Sequence, residues 1–266
     1  MDHQSPSQLF YARDSNYAGQ RESVRRSSVR ISTDDATSIS ERYENLLLRA
    51  LPPHLLRDLD PYLTLVDLAK QQLLPRGTDR LNYVYFPITA VVSDYSLLAD
   101  GRMVEIAVTG REGAVGLSSF LLDRRSGADI TQVSQPGTAK RIDAGTLAAL
   151  LGPNEGWQIN LRRCMSLYIK QISQKAICNM YHSVEGRMCT WLLMVRDRCG
   201  LVTLRLTQEY LSQVLGVYRP TVTGIAQKLR RDNVIDYERG TIVICDRKKL
   251  EESACTCYSY PDWTPN

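Results

Sequence analysis

The chain has 266 residues, 43% hydrophobic and 23% charged, with a formal net charge of +4. That length suits about two domains of a globular protein, and the mild positive charge permits a nucleic-acid partner without arguing for one. No apolar run approaches the ~20 residues that span a bilayer, and MDHQSPSQLFYARDSNYAGQ lacks the basic start and apolar core of a secretory signal, so the expectation is a cytoplasmic protein with no membrane partner.

Residues 1–40 are rich in Ser, Arg, Asp and Thr. Five arginines (Arg13, Arg21, Arg25, Arg26, Arg30) meet five acids (Asp2, Asp14, Glu22, Asp34, Asp35). Too little apolar surface is available there to offset chain entropy, and the segment reads as a disordered tail. From Glu41 to Leu65 the pattern is helical around Leu46-Leu47-Leu48 and Leu55-Leu56, with Pro52-Pro53 opening a second helix. From Gln71 to about Ile142 short β-branched and aromatic runs alternate with Gly, Pro and Asp. Examples are Tyr83–Phe86, Ala90–Ser93, Val104–Val108 and Thr131–Ser134, with Asp100-Gly101 as a hairpin turn. Strands at this spacing predict a small β-barrel or sandwich.

After Pro153 a helical run extends from about Gln158 to Arg198. Met165, Ile169, Ile172, Ala176, Asn179, Ser183 and Gly186 fall at alternating steps of four and three, a coiled-coil-like seam. Such a helix most simply pairs with its own copy in a two-fold dimer, with Met165, Ile169, Ile172 and Ala176 at the contact.

The stretch QVLGVYRPTVTG, Gln213 to Gly224, decides the C-terminal part. Thr207 is a good N-cap, followed by Glu209 in the first turn. A first helix should reach Leu215 and end at Gly216, which tolerates the left-handed turn conformation. Pro220 then fits the first turn of a second helix, where its missing N–H has no partner to lose, and that helix should run to about Arg231. Leu211, Leu215, Val217, Val222 and Ile225 are apolar where the two helices must pack, and Ser212 is small where they approach. Val234–Tyr237, a turn at Glu238-Arg239-Gly240 and Thr241–Ile244 form a hairpin placed to be the wing of a winged helix-turn-helix. Between Thr207 and Leu250 eight basic residues face five acidic ones, an excess of three that suits a phosphate-facing surface.

These residues resemble the Crp/Fnr family of bacterial transcription regulators. The resemblance is carried by LTQEYLSQVLGVYRPTV (Leu206 to Val222), NVIDYERGTIVI (Asn233 to Ile244), VEGRMCTWLL (Val184 to Leu193) and, in the barrel, VEIAVTGREGAVGL (Val104 to Leu117). It covers about Glu41 to Tyr258. It implies an α+β fold: an N-terminal jelly-roll-like β-barrel, a long dimerisation helix and a C-terminal winged helix-turn-helix. The corresponding divisions are a tail at 1–40, a cyclic-nucleotide-binding-like sensor barrel at 41–157, the helix at 158–199 and the DNA-binding domain at 200–266. The implied partners are double-stranded DNA with a two-fold symmetric site, a second copy of the chain, and RNA polymerase.

Arg219 matches the family's base-reading arginine, able to pair bidentately with a guanine. Many members follow it with Glu and, one turn later, a second Arg; here Pro220 and Gly224 stand there, which implies an altered half-site. Thr221 and Thr223 are expected near thymine methyls or phosphates, and Thr207, Tyr218, Gln227 and Lys228 on the backbone. Members that bind cyclic AMP carry Gly-Glu-Leu-Gly-Leu; this chain has Gly113-Ala-Val-Gly-Leu117, with Ala114 in place of the ribose-binding Glu. Arg125-Ser126 only superficially suggests the phosphate-binding Arg-Ser-Ala. The oxygen-sensing branch needs an N-terminal cysteine cluster, and the first cysteine here is Cys164. The reading is therefore of a regulator without a cyclic-nucleotide or iron–sulfur cofactor.

Seven cysteines without short regular spacing do not suggest a disulfide framework. With His3, His54 and His182 scattered, four convergent zinc ligands are not expected either, although His54 or His182 would suffice as a lone haem ligand. Redox control through Cys178 and Cys189, or an unknown effector in the barrel, are the alternatives. No catalytic residues are expected: Gly116-Leu-Ser-Ser-Phe120 is not the G-x-S-x-G elbow, and no phosphate-binding Gly loop is present.

Overall fold

The computed structural model describes residues 44–74, 82–117, 130–152 and 154–258; the predicted tail at 1–40 and Arg125-Ser126 lie outside them. Asn45 sets the first helix, α1 (Leu46–Arg49). Its buried side chain accepts from the Leu48 N–H at 3.1 Å and donates to the carbonyls of Pro87 and Gly113, both at 2.9 Å. Helix α2 (Pro53–Leu59) starts on Pro53, as expected of a proline in a first turn. A single 3₁₀ turn then leads into strand β1 (Thr64–Leu68), so the helical reading to Leu65 overran its end.

Strands β2 (Tyr83–Pro87), β3 (Val91–Leu97), β4 (Met103–Thr109), β5 (Ile130–Gln135) and β6 (Gly137–Asp143) complete the N-terminal part. They form two antiparallel three-stranded sheets, ordered β1-β6-β2 and β4-β3-β5. Asp100-Gly101 lies in the β3–β4 hairpin, as predicted. Tyr85, Val92, Val133 and Ala139 pack between the sheets. Helix α3 (Ala144–Leu151), capped by the Asp143 carboxylate, joins α1 and α2 over Phe86, Ile142 and the fully buried Trp157.

The predicted run from Gln158 to Arg198 is two helices, α4 (Glu155–Tyr181) and α5 (Val184–Cys199). His182 is extended, and Ser183 re-caps the chain by accepting the Gly186 N–H at 3.1 Å. A serine N-cap within an otherwise helical pattern was the missed signal. The seam therefore ends with α4. Gly186, placed on it by spacing, is instead buried against the backbone of Cys255, where a Cβ would meet the Cys255 N at 3.4 Å.

Strand β7 (Thr203–Leu204) pairs with the wing, and α6 (Gln208–Leu215), α7 (Arg219–Arg231), β8 (Ile235–Glu238), β9 (Thr241–Ile244) and α8 (Arg247–Ser253) follow. Arg239 and Gly240 turn the wing with φ of 47° and 78°, the pair of positive angles of a tight hairpin. Val91 and Val108 of the β-sheet part share one apolar core with α5, α6 and α7, so this end is packed onto the sheet rather than tethered to it.

Three of the seven scattered cysteines do converge, against expectation. After α8 the chain returns to the α4–α5 junction, where the Cys255 N–H donates to Gly186 O and Thr190 Oγ1. Cys178, His182, Cys255 and Cys257 then present their ligand atoms within 4.8 Å of one another. Residues 73 or more positions apart along the chain meet only through this return, which spacing cannot reveal.

Candidate nucleic-acid interface

The helix-turn-helix is built by local chemistry. Thr207 caps α6, its hydroxyl accepting from the Tyr210 N–H at 3.1 Å. At the other end Gly216 has φ 65°, and the bonds Val217 N to Ser212 O and Gly216 N to Gln213 O close a Schellman turn. Nothing lies within 4 Å of a Cβ built on Gly216, so its conformation rather than crowding demands glycine. Arg187 of α5 donates to Asn179 Oδ1 and to the Leu215 carbonyl, holding the end of α6. Leu211, Leu215, Val222, Ala226 and Leu229 close the contact between the two helices, and Ser212 is buried with its hydroxyl on Glu209 O.

Helix α7 begins at Arg219 with Tyr218 as N-cap and Pro220 in its first turn. Tyr218, Arg219, Pro220, Thr221, Gly224, Gln227 and Lys228 are exposed, so five of the seven residues expected to meet DNA are exposed in the free chain, while Thr207 and Thr223 are half-buried. Besides Thr207, which caps α6, two more of the predicted contacts are already engaged. Thr223 Oγ1 lies 2.7 Å from Gln208 Oε1 and 3.1 Å from the Arg219 carbonyl, tying the start of α6 to α7. Lys228 holds both carboxylate oxygens of Glu185 at 2.7 and 2.8 Å.

The basic excess is partly spent within the protein. Arg230 pairs with Asp236 at 3.0 Å, Arg247 with Asp197 and Glu251, and Lys249 approaches Asp246 at 3.9 Å. Arg219, Arg231 and Lys248 make no ion pair among the described residues, which leaves Arg219 as the available guanidinium at the start of α7. Gly224 is exposed with nothing within 4 Å of a built Cβ. Gly224→Ala should therefore stabilise the protein by about 0.5–1 kcal/mol, read as a raised urea midpoint, because helical glycine costs entropy and gains no contact here.

Behind the interface runs a buried polar network that sequence reading missed. Glu105 of β4, 2% exposed, accepts from Ser93 Oγ at 2.7 Å and Trp191 Nε1 at 3.0 Å, and pairs with Lys175 of α4. The Trp191 ring tilts against Tyr210 of α6, and the Tyr210 and Tyr95 hydroxyls meet at 2.6 Å. Burial, then the Glu105 charge, raises both tyrosines well above their ordinary range, so they stay neutral. β3, β4, α4 and α5 thus converge on one carboxylate, and α6 joins them through the contacts of Tyr210 with Trp191 and Tyr95.

The two helices and the hairpin have the geometry of a winged helix-turn-helix, and the comparisons agree. Residues 186–253 match the model of the Crp-like helix-turn-helix domain. The chain is similar in structure to a protein from Eubacterium rectale assigned to the Crp/Fnr transcriptional regulators (18% identity, 77% of this chain and 96% of that one, TM-score 0.57). It is also similar to FixK2 from Bradyrhizobium japonicum (18% identity, 73% and 98%, TM-score 0.59). A third likeness is to the c-di-GMP responsive global regulator CLP of Xanthomonas campestris (15% identity, 73% and 99%, TM-score 0.56). No curated protein sequence matches the chain. At these identities the structural likeness is one of fold. Residues 186–253 are a Crp-like helix-turn-helix domain, the DNA-binding part of a chain whose fold is that of Crp/Fnr regulators.

Proposed function

We propose that the protein is a homodimer that inserts the start of α7, led by Arg219, into successive major grooves of a two-fold symmetric site. The observation that carries this reading is the uncovered first turn of α7, with an arginine at its head that makes no ion pair among the described residues. Thr221 and Gln227 lie on the same exposed surface, while Thr207, Tyr218 and Lys228 lie where phosphates would run. Thr223 serves the helix pairing first and DNA second. The dimer contact is α4, about 40 Å long at 1.5 Å per residue. Its outer stripe of Ile169, Ile172 and Ala176 is exposed, and Met180, 73% exposed, extends it, with Met165 half-buried at its start. The dimer acts in the cytoplasm, is not an enzyme, and contacts RNA polymerase at its promoters.

Selection of sites from a random duplex pool, with purified protein and no added ligand, tests the reading. Enrichment of a two-fold symmetric site supports it, and enrichment of an unsymmetric site would sink the dimeric mode. Ile169→Asp places a charge on the outer stripe, where like charges would face across the two-fold axis. We expect it to sediment as a monomer and to lose binding to the selected site; a dimeric Ile169→Asp protein would move the contact off this stripe.

Independence from cyclic AMP is part of the proposal. Ala114 has no oxygen for a ribose, and Glu112 is committed to a buried pair with Arg198 at 2.8 Å. A second reading rests on a cleft of about 550 Å³ that reaches from Thr109 and Val115 to Gln171 of α4 and Trp191 of α5. A small effector there would touch the sheet, α4 and α5 together. Addition of that effector, rather than cyclic AMP, would then change DNA affinity. Control through Cys189 is the weaker idea, because burial pushes its thiol up to about 12, far from a reactive thiolate.

A further inference from the structure

Four side chains of the types that bind soft metals meet at the α4–α5 junction, outside the DNA-binding surface. Cys178 lies in the last turn of α4 and His182 at its C-cap, while Cys255 and Cys257 arrive on the segment after α8. Their distances have the scale of a coordination tetrahedron. Zinc–sulfur bonds of ≈ 2.3 Å separate two sulfurs by about 3.8 Å, and a nitrogen ligand lies about 3.6 Å from a sulfur. Here Cys178 Sγ and Cys255 Sγ are 3.7 Å apart, and Cys257 Sγ and His182 Nδ1 are 3.5 Å apart. All four ligand atoms fit within 4.8 Å.

A supporting shell is also present. Thr190 Oγ1 lies 3.0 Å from Cys255 Sγ and accepts the Cys255 N–H at 3.1 Å, so its hydroxyl proton can be given to a Cys255 thiolate. Gly186 lets the returning backbone come close enough to deliver Cys255. Cys178, Cys255 and Cys257 also line the open cleft described above, which gives an ion a path inward.

We propose that Cys178, His182, Cys255 and Cys257 form a tetrahedral zinc site that fastens the C-terminal segment to the α4–α5 junction. Three thiolates and one imidazole are a donor set that selects zinc over hard cations such as magnesium or calcium. His182 binds through Nδ1, the atom that faces Cys257. Binding releases the three thiol protons to solvent, so affinity falls as pH drops. The site ties together the end of the proposed dimer helix, the start of α5 and the chain beyond the wing, although it does not depend on how DNA is read.

The test uses the full chain, purified under reducing conditions without chelator. Elemental analysis should find one zinc per chain. The metal-free protein, titrated with cobalt(II), should show thiolate-to-metal charge transfer and tetrahedral ligand-field bands that saturate at one equivalent and vanish when zinc is added. Cys257→Ser should weaken zinc binding by more than ~100-fold, and Thr190→Val by about tenfold, the range expected for a supporting hydrogen bond. Cys245→Ser, at an exposed thiol outside the cluster, should bind as the wild type does. A reduced wild-type protein that gives no thiolate–cobalt spectrum overturns the proposal, as does unchanged affinity in Cys257→Ser. A Cys178–Cys255 disulfide in air, from a reduced protein that binds neither metal, would overturn it in favour of a redox pair. The wild-type titration decides the matter even if a cysteine variant does not fold.

Discussion

Glu105→Leu should destabilise the protein by about 3–5 kcal/mol, the cost of removing one partner from a buried ion pair. The substitution roughly keeps the volume but removes every acceptor. Lys175 has partial access to the cleft and can turn to water, its side chain being 22% exposed. Trp191 Nε1 has no such escape, because Trp191 is 5% exposed, and fully buried Ser93 can turn only to the neighbouring hydroxyls of Tyr95 and Tyr210. Each buried donor left without a partner costs about 1–3 kcal/mol. Glu105→Gln should cost less, since one amide oxygen can still accept from Trp191 or Ser93 while the amide N–H₂ turns poorly toward Lys175. Urea unfolding midpoints at constant m give both values. A double-mutant cycle of Glu105→Gln with Trp191→Phe isolates their coupling, which should exceed ~0.5 kcal/mol for groups in direct contact. A loss below 1 kcal/mol in Glu105→Leu would mean the carboxylate does not organise this core.

The same network carries a consequence for regulation. The hydroxyl pair of Tyr95 and Tyr210 and the Trp191–Tyr210 ring contact lie between the sheet and α6, the first helix of the DNA-binding pair. Any ligand that shifts α4 against β4 must also move Lys175, and with it the Glu105 contacts. An apolar interface would slide over several near-equal positions, whereas directed hydrogen bonds favour few. The cleft beside Gln171, whose side chain bonds both the N–H and the carbonyl of Val108, is therefore well placed to bias the DNA-binding end.

What the sequence makes legible here is what neighbouring residues decide. Thr207, Gly216 and Pro220 each act within one turn of chain, and all three do in the structure what their chemistry predicts. The wing hairpin and strands β2 to β5 are equally local, since alternation and turn residues are read over a few positions. The break at His182-Ser183 is also local, yet it carries neither proline nor a glycine at its turn, and only a serine cap marks it. β1 was lost because Thr64–Leu68 follows helical leucines without a strong breaker after Pro61. The engagement of Lys228 by Glu185, 43 residues earlier, and the Glu105 network are products of tertiary contact, invisible to periodicity. The cysteine–histidine cluster is the extreme case: its two halves lie on either side of the whole helix-turn-helix and wing.

Arg219→Ala should sharply weaken binding to the selected site while leaving the fold intact. Arg219 is exposed and makes no ion pair among the described residues, so its loss should change stability by no more than ~0.5 kcal/mol. A bidentate arginine–guanine contact is worth about 1–3 kcal/mol, and a dimer loses it twice. At ~1.4 kcal/mol per tenfold, the selected site should bind roughly 30- to 20,000-fold more weakly. The pattern of loss matters as much as its size. If Arg219 reads a base, the variant should lose preference at one symmetric pair of positions. If it only holds phosphates, binding should weaken alike on every sequence, and the salt slope should fall by about one per protomer. Lys228→Ala is the internal comparison. Lys228 must leave Glu185 before it can reach DNA, so its removal should cost less than that of Arg219 and should show in the salt slope alone. A full-strength, unaltered site preference in folded Arg219→Ala would move the reading head elsewhere on α7, with Thr221 and Gln227 the next residues to change.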